Sequence, residues 1–142
     1  MRRIKELFDN PVDYRIAKSK SAMEFCAEFT VGTNDYEFFI VYNHEECTYD
    51  LQFVLNSCEG SEYGITNNAS DVFTIFATIG EILQHWVKTF NINKFMFTAK
   101  EPSRIKLYAQ FANLIQRKLN FTYEQKVRPL GNNIYTCFVF SK

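Results

Sequence analysis

One short segment of this chain gathers side chains of the types that bind metal ions. His44, Glu45, Glu46 and Cys47 are consecutive, and imidazole, carboxylate and thiolate groups are the usual ligands of zinc. Neighbours in a tight turn rarely converge on one ion without ligands from a second segment, and the sequence offers no second cluster. We therefore interpret these four residues as a solvated hairpin turn and predict no metal site.

Other nucleophiles and bases stand apart from one another in the sequence. His85 precedes Trp86 within a helical pattern, which favours a helix-surface or boundary position. No Ser-His-Asp or Cys-His arrangement is indicated. The cysteines contain no Cys-x-x-Cys pair, so we expect reduced and mostly packed thiols at Cys26, Cys47, Cys58 and Cys137.

Charge is divided unevenly along a chain whose net charge is zero. Residues 24–71 hold acidic side chains and no Lys or Arg, whereas residues 88–128 are predominantly basic. The basic half could be a solvated helix face, a protein-docking patch or a phosphate-binding face for nucleic acid. The acidic half could meet a basic partner, imitate a nucleic-acid backbone or keep sheet edges soluble. The candidate binding face consists of Lys100, Arg104, Lys106, Arg117, Lys118, Lys126 and Arg128.

Composition predicts a single folded domain over residues 1–142. Apolar residues make up 46% of the chain, including fifteen Phe and eight Tyr, so a large core is available. The first six residues begin a charged amphipathic segment, and no run of eighteen apolar residues follows. We expect a protein that is neither secreted nor membrane-spanning and that acts in the cytoplasm.

Two-residue periodicity predicts strands in the first half of the chain. Phe25, Ala27 and Phe29 alternate with polar residues, and turn residues follow Val31. A short helix over residues 2–8 and a weaker strand over residues 14–19 come first, within a connecting region over residues 1–20. An antiparallel meander of three strands is predicted within residues 24–56, at residues 24–31, 36–42 and 48–55.

A periodicity near 3.6 residues predicts two helices within residues 70–142. The first is a long core-facing helix with apolar residues from Val72 to Phe90, and the second runs over residues 102–119. A strand over residues 94–99 separates them, and strands over residues 121–127 and 134–140 form a closing hairpin around a turn at residues 129–133. Because strand-helix-strand crossovers are usually parallel, residues 94–99 should pair in parallel with residues 48–55.

This element order, together with Arg104-Ile105-Lys106-Leu107-Tyr108 near the start of the second helix, resembles the GNAT acetyltransferase family. The resemblance implies an α+β fold with a mixed sheet, a central βαβ crossover, and a C-terminal helix and hairpin. It also implies acetyl-CoA as cofactor and Tyr108 as the general acid that protonates the thiolate of coenzyme A. Packing of Tyr108 in the core is the alternative interpretation, because its spacing with Phe111 and Ile115 places it on the apolar stripe.

The family binds pyrophosphate on a loop rich in small residues, and this chain departs from that pattern. Its loop over residues 57–70 has no Lys or Arg and no Gly-x-Gly, and Glu59 and Glu62 would repel a polyphosphate. We therefore predict no cofactor-binding residues in this chain. The departure makes a noncatalytic protein the leading hypothesis.

The chain also resembles short uncharacterised proteins of tailed bacteriophages in Phe76-Ala77-Thr78 and in the run from Glu101 to Tyr108. That resemblance implies a protein acting in an infected bacterial cell or in the virion. The leading hypothesis is a noncatalytic GNAT-like scaffold that binds a host or virion protein through a charged face. A GNAT-type N-acetyltransferase is the alternative, and a nucleic-acid-binding protein that uses the basic half is the second alternative.

Overall fold

A computed structural model of the chain describes residues 11–55, 69–99 and 105–142. These residues form an α+β structure with a seven-stranded mixed sheet and two helices. The strands are β1 (Tyr14–Ser19), β2 (Phe25–Val31), β3 (Asn34–Asn43), β4 (Thr48–Leu55), β5 (Lys94–Ala99), β6 (Thr122–Leu130) and β7 (Asn133–Ser141), and the helices are α1 (Ala69–Phe90) and α2 (Ile105–Leu119). The helix predicted over residues 2–8, most of the loop over residues 57–70 and the predicted start of the second helix lie outside the described residues.

The strands follow the order β1-β2-β3-β4-β5-β7-β6 across the sheet. Strand β4 pairs in parallel with β5, with Tyr49 opposite Phe95 and Asp50 opposite Met96. The parallel pairing predicted for residues 48–55 and 94–99 is therefore confirmed. Neither described helix combines the length and hydropathy that a membrane crossing requires.

Contacts divide the chain into two compact units, Met1–Val41 with Gln52–Ile92, and Tyr42–Leu51 with Asn93–Lys142. The boundaries between the units fall inside β3, inside β4 and between α1 and β5. The single domain expected over residues 1–142 stays a prediction.

In the first unit, β1, β2 and β3 pair in antiparallel fashion. The alternation seen in the sequence of β2 matches its burial, because Phe25, Ala27, Phe29 and Val31 are buried and Thr30 is exposed. Strand β1, which the sequence predicts as a weaker strand over residues 14–19, pairs with β2 at the edge of the sheet. Helix α1 packs on β2, where the Phe25 ring lies 6.2 Å from the ring of Phe90.

Helix α1 is held by polar contacts as well as by its apolar stripe. The indole N–H of Trp86 donates to the carbonyl oxygen of Ala22, and the Val12 amide donates to the Thr78 hydroxyl. The helix ends where Asn91 adopts a left-handed backbone with φ of 54°. The Ile92 amide then donates to the Val87 carbonyl over 3.1 Å, which satisfies one of the last carbonyls of the helix.

In the second unit, aromatic side chains on one face of the sheet form the core under α2. The Phe95 and Phe140 rings stack at 4.8 Å, and the Phe97 and Phe138 rings stack at 5.2 Å. The Phe111 ring of α2 lies 5.9 Å from that of Phe97. Because side chains alternate along a strand, the residues of β6 that pair with Phe138 and Phe140 lie on this face and point towards α2.

The turn between β6 and β7 is shorter than the sequence indicates. Residues 129–133 were expected to form the turn, but Pro129 pairs with Ile134 and Leu130 pairs with Asn133. Only Gly131 and Asn132 connect the strands, and Gly131 has φ of +62°. Proline is tolerated here because β6 is the last strand in the sheet order and, among the described strands, pairs only with β7. The N–H that Pro129 lacks need not interrupt the hydrogen bonds between these two strands.

Candidate functional site

Tyr108, the general acid implied by the family resemblance, lies on the sheet-facing side of α2. Its side chain is fully buried, and its ring makes an edge contact with the ring of Phe97 at 6.0 Å between centroids. The hydroxyl oxygen is also buried. A general acid must reach the atom that receives its proton, whereas the Tyr108 side chain and its hydroxyl are packed within the core.

Three of the predicted binding residues lie on the solvent side of α2. Lys106, Arg117 and Lys118 are exposed, whereas Tyr108 and Phe111 on the same helix are buried. Lys106 and Arg117 are eleven residues apart, which places them on the same side of the helix about 17 Å apart along its axis. Lys100 and Arg104 lie outside the described residues.

The other two predicted binding residues lie on the opposite side of the sheet from α2. Tyr123 of β6 contacts the rings of Phe138 and Phe140 and donates its hydroxyl to Asn113 of α2 over 2.7 Å. Lys126 and Arg128 differ from Tyr123 by an odd number of positions, so their side chains leave the other face of the strand. The structure therefore does not join all the basic residues into one face.

Arg128 is already engaged by carboxylates of the turn before β4. Its guanidinium donates to Glu45 over 3.0 Å, and its Nε lies 3.4 Å from a carboxylate oxygen of Glu46. Only 19% of its side chain is exposed. A guanidinium held by two carboxylates is poorly available to an additional anionic ligand.

The turn that joins β3 to β4 shows the arrangement expected of a solvated hairpin turn. The Glu46 amide donates to the side-chain oxygen of Asn43 over 3.0 Å, and Cys47 has φ of 53°. The His44 ring packs on Tyr42 at 4.9 Å. In the part of the chain that the structure describes, no three His, Cys, Asp or Glu side chains are grouped so that they could hold a metal ion.

The three cysteines in the described ranges are free thiols with different exposure. Cys137 is buried, Cys26 is half-buried and Cys47 is exposed in its turn. The exposure of Cys47 agrees with its predicted place in a solvated turn. Burial and the negative charges of Glu37 and Glu28 raise the pKa of the Cys26 thiol, so Cys26 is a poor nucleophile at neutral pH. His85 is exposed on α1, as its sequence context indicated.

A groove of about 650 Å³ lies at the start of β1 and was not predicted from the sequence. Its walls carry the carboxylates of Asp13, Glu28 and Asp35 and the guanidinium of Arg15. Glu28 forms an ion pair with Arg15, and Asp35 accepts a hydrogen bond from the Thr30 hydroxyl over 2.6 Å. Two of the three acids, Glu28 and Asp35, are thus engaged by neighbouring residues.

The groove was not visible in the sequence because its residues come from three segments that share no motif. A second depression beside it is lined by Tyr14 and by Glu81 of α1. Burial and the charge of Glu81 raise the pKa of Tyr14. A phenol with a raised pKa stays protonated at neutral pH and supplies no base.

Comparisons with known proteins include a match to a solved structure. No protein-family model matches the sequence, and no curated protein matches it. A structural match is the crystal structure of a GNAT-family acetyltransferase from Streptococcus pneumoniae, with 13% sequence identity and a TM-score of 0.41. The match covers 88% of this chain and 70% of that one. At this identity and TM-score, it carries no conclusion about what the chain binds or catalyses.

Proposed function

We propose that the chain is a noncatalytic binding protein on a GNAT-like scaffold. It would dock onto an acidic surface of a partner protein through the exposed side of α2. The observation that carries this proposal is the full burial of Tyr108. The residue on which the family resemblance would base catalysis sits in the aromatic core instead of at an accessible site.

The sequence of the loop over residues 57–70 supports the same proposal. A polyphosphate needs backbone amides and positive charge around it, whereas Glu59 and Glu62 bring negative charge and no Lys or Arg accompanies them. Acetyl-CoA binding would require this loop to overcome repulsion with no compensating cation.

The docking surface proposed here consists of Lys106, Arg117 and Lys118 on α2. No Asp or Glu occurs between Ile105 and Leu119, so no carboxylate in this part of α2 offsets the positive charge of the surface. Arg117 and Lys118 stand in the last turn, where cations also favour the negative end of a helix. Lys106 stands in the first described turn of α2 and is exposed.

Neighbouring residues support α2 as a fixed platform. The Tyr123 hydroxyl bonds to Asn113, which lies between Lys106 and Arg117 on the exposed side. A surface that is held before binding loses less conformational entropy on docking. The resemblance to bacteriophage proteins supplies the proposed setting, a partner of the host or the virion in an infected bacterial cell.

Isothermal calorimetry with acetyl-CoA and with free coenzyme A tests the noncatalytic part of the proposal. We expect no binding up to millimolar ligand. Stoichiometric binding at micromolar affinity would overturn the proposal and favour the acetyltransferase.

Affinity capture from infected-cell extracts tests the docking surface. The wild-type chain is compared with a triple variant in which Lys106, Arg117 and Lys118 are each changed to Glu. A matched control is Lys88→Glu, because Lys88 is an exposed residue in the last turn of α1. We expect the triple variant to lose the captured protein and the control to retain it. Retention by the triple variant would refute the surface, and salt-sensitive capture of DNA or RNA would assign it to nucleic acid.

A further inference from the structure

Strand β6 stands at the end of the sheet order, and within residues 11–55, 69–99 and 105–142 no strand pairs with its outer side. Its nine residues run antiparallel to β7 with an unbroken register from Thr122 to Leu130. Such an edge presents a row of backbone groups that can bond to another strand. Apolar side chains near this edge are also open, since Val127 is 67% exposed, and Ile134 of β7, which pairs with Pro129, is 69% exposed.

The turn geometry fixes which backbone groups of β6 point outward. A two-residue turn with Gly131 at positive φ is closed by a hydrogen-bonded pair, here Leu130 and Asn133. Hydrogen-bonded pairs alternate along an antiparallel ladder. The amides and carbonyls of Tyr123, Gln125 and Val127 therefore point away from β7, towards solvent.

We propose that a second copy of this chain pairs with this edge, with the two β6 strands antiparallel and the two Gln125 residues facing each other across a two-fold axis. In this register Tyr123 of one copy exchanges backbone hydrogen bonds with Val127 of the other. Together with the central Gln125 pair, this makes about six backbone hydrogen bonds between the copies. The pairing also places an aromatic ring against a β-branched side chain, which is a favourable cross-strand pair.

Charge on the other face of β6 selects this register. Glu124 and Lys126 share that face, 3.8 Å apart in one copy. With Gln125 on the axis, Glu124 of each copy lies opposite Lys126 of the other. A shift of the axis by one residue would set either two Glu124 side chains or two Lys126 side chains against each other, which is unfavourable.

A pairing of single strands buries little surface, so the dimer is weak and depends on concentration. Sedimentation velocity over a series of chain concentrations measures it, with circular dichroism as the control for folding. We expect wild type to move from monomer to dimer as concentration rises. The single variants Glu124→Lys and Lys126→Glu should weaken dimerisation at least tenfold because each places like charges opposite each other.

Two further variants distinguish edge pairing from a general effect of charge. The double variant E124K/K126E exchanges the two charges and should restore the dimer. Gln125→Pro removes an outward N–H at the centre of the pairing without removing a bond to β7, so it should remain folded and monomeric. Lys88→Glu on α1 is the matched charge control and should dimerise like wild type.

The proposal is overturned if wild type stays monomeric at all concentrations, or if a dimer persists in Gln125→Pro. Failure of the double variant to restore a dimer that both single variants lose would refute the register centred on Gln125.

Discussion

The indole N–H of Trp86 donates to the carbonyl oxygen of Ala22 over 2.9 Å. This bond joins the C-terminal part of α1 to the segment that leads into β2, across sixty-four positions of sequence. Trp86 is fully buried and is the only Trp in the chain. Its ring therefore fills the core of the first unit while its nitrogen satisfies a backbone carbonyl that water cannot reach freely.

Replacing Trp86 by Phe should destabilise the protein by about 2–3 kcal/mol, because it leaves a carbonyl without its donor and reduces buried volume. Urea denaturation followed by circular dichroism gives the free energy of unfolding. His85→Phe is a control on the same helix turn, since His85 is exposed, and should change stability little. Equal stability of Trp86→Phe and wild type would contradict the structural role of the bond.

Changing Tyr108 to Ala should cost about 3–5 kcal/mol of stability, as for other large buried aromatic residues. Tyr108→Phe should cost only about 1 kcal/mol, since it keeps the ring that contacts Phe97 and removes the hydroxyl. Thermal and chemical denaturation provide the measurement. A small loss for Tyr108→Ala would show that the residue is not part of the core of the second unit.

The pair between Arg128 and Glu45 should contribute modestly to stability. Glu45 is 81% exposed, so solvent screens the interaction, and a coupling of about 0.5–1 kcal/mol is expected. A double-mutant cycle with Arg128→Met and Glu45→Gln measures this coupling directly. The coupling should fall as salt is added, and a value that does not respond to salt would point to packing of the Arg128 stem instead.

Reaction of the cysteines with iodoacetamide should follow their environments. At neutral pH, Cys47 should be alkylated faster than Cys26, because Cys47 is exposed while burial and the charges of Glu37 and Glu28 raise the pKa of Cys26. Peptide mass spectrometry at successive times gives both rates. The double variant E28Q/E37Q should speed the alkylation of Cys26 by lowering its pKa, and an unchanged rate would exclude the two carboxylates as a cause.

The raised pKa of Cys26 also predicts how stability depends on pH. The folded chain favours the neutral thiol of Cys26. The contribution of this thiol to the free energy of unfolding is therefore complete below the ordinary thiol pKa and is lost as pH rises through the raised pKa. The difference in free energy of unfolding between wild type and Cys26→Ala should therefore be constant at neutral pH. In alkaline solution, the free energy of unfolding of wild type should fall relative to that of Cys26→Ala.

Sequence patterns predicted most elements because they are set by local periodicity. The alternation around Phe25 and the apolar stripe ending at Phe90 depend on neighbouring residues alone, and the structure places both as expected. Proline usually interrupts strands, so the sequence predicts a turn at Pro129, whereas the structure places it in β6. The sheet order explains its place in β6, since only a strand at the edge can omit that N–H.

The candidate binding face could be predicted only in part, for a geometric reason. Lys106 and Lys126 belong to one basic stretch of sequence, but a helix and a strand carry them to opposite sides of the sheet. The carboxylates that hold Arg128 come from Glu45 and Glu46, more than eighty positions earlier. Contacts between segments so far apart have no local signature in a single sequence.

The parallel pair between Tyr49 and Phe95 also has a consequence for how the chain folds. The β6–β7 hairpin closes over two residues and needs no distant contact, whereas the parallel pair must bring together strands separated by the whole of α1. Closing the longer segment costs more chain entropy and is slower. We expect the hairpin to form early and the junction of β4 with β5 to form late, so that this junction sets the overall folding rate.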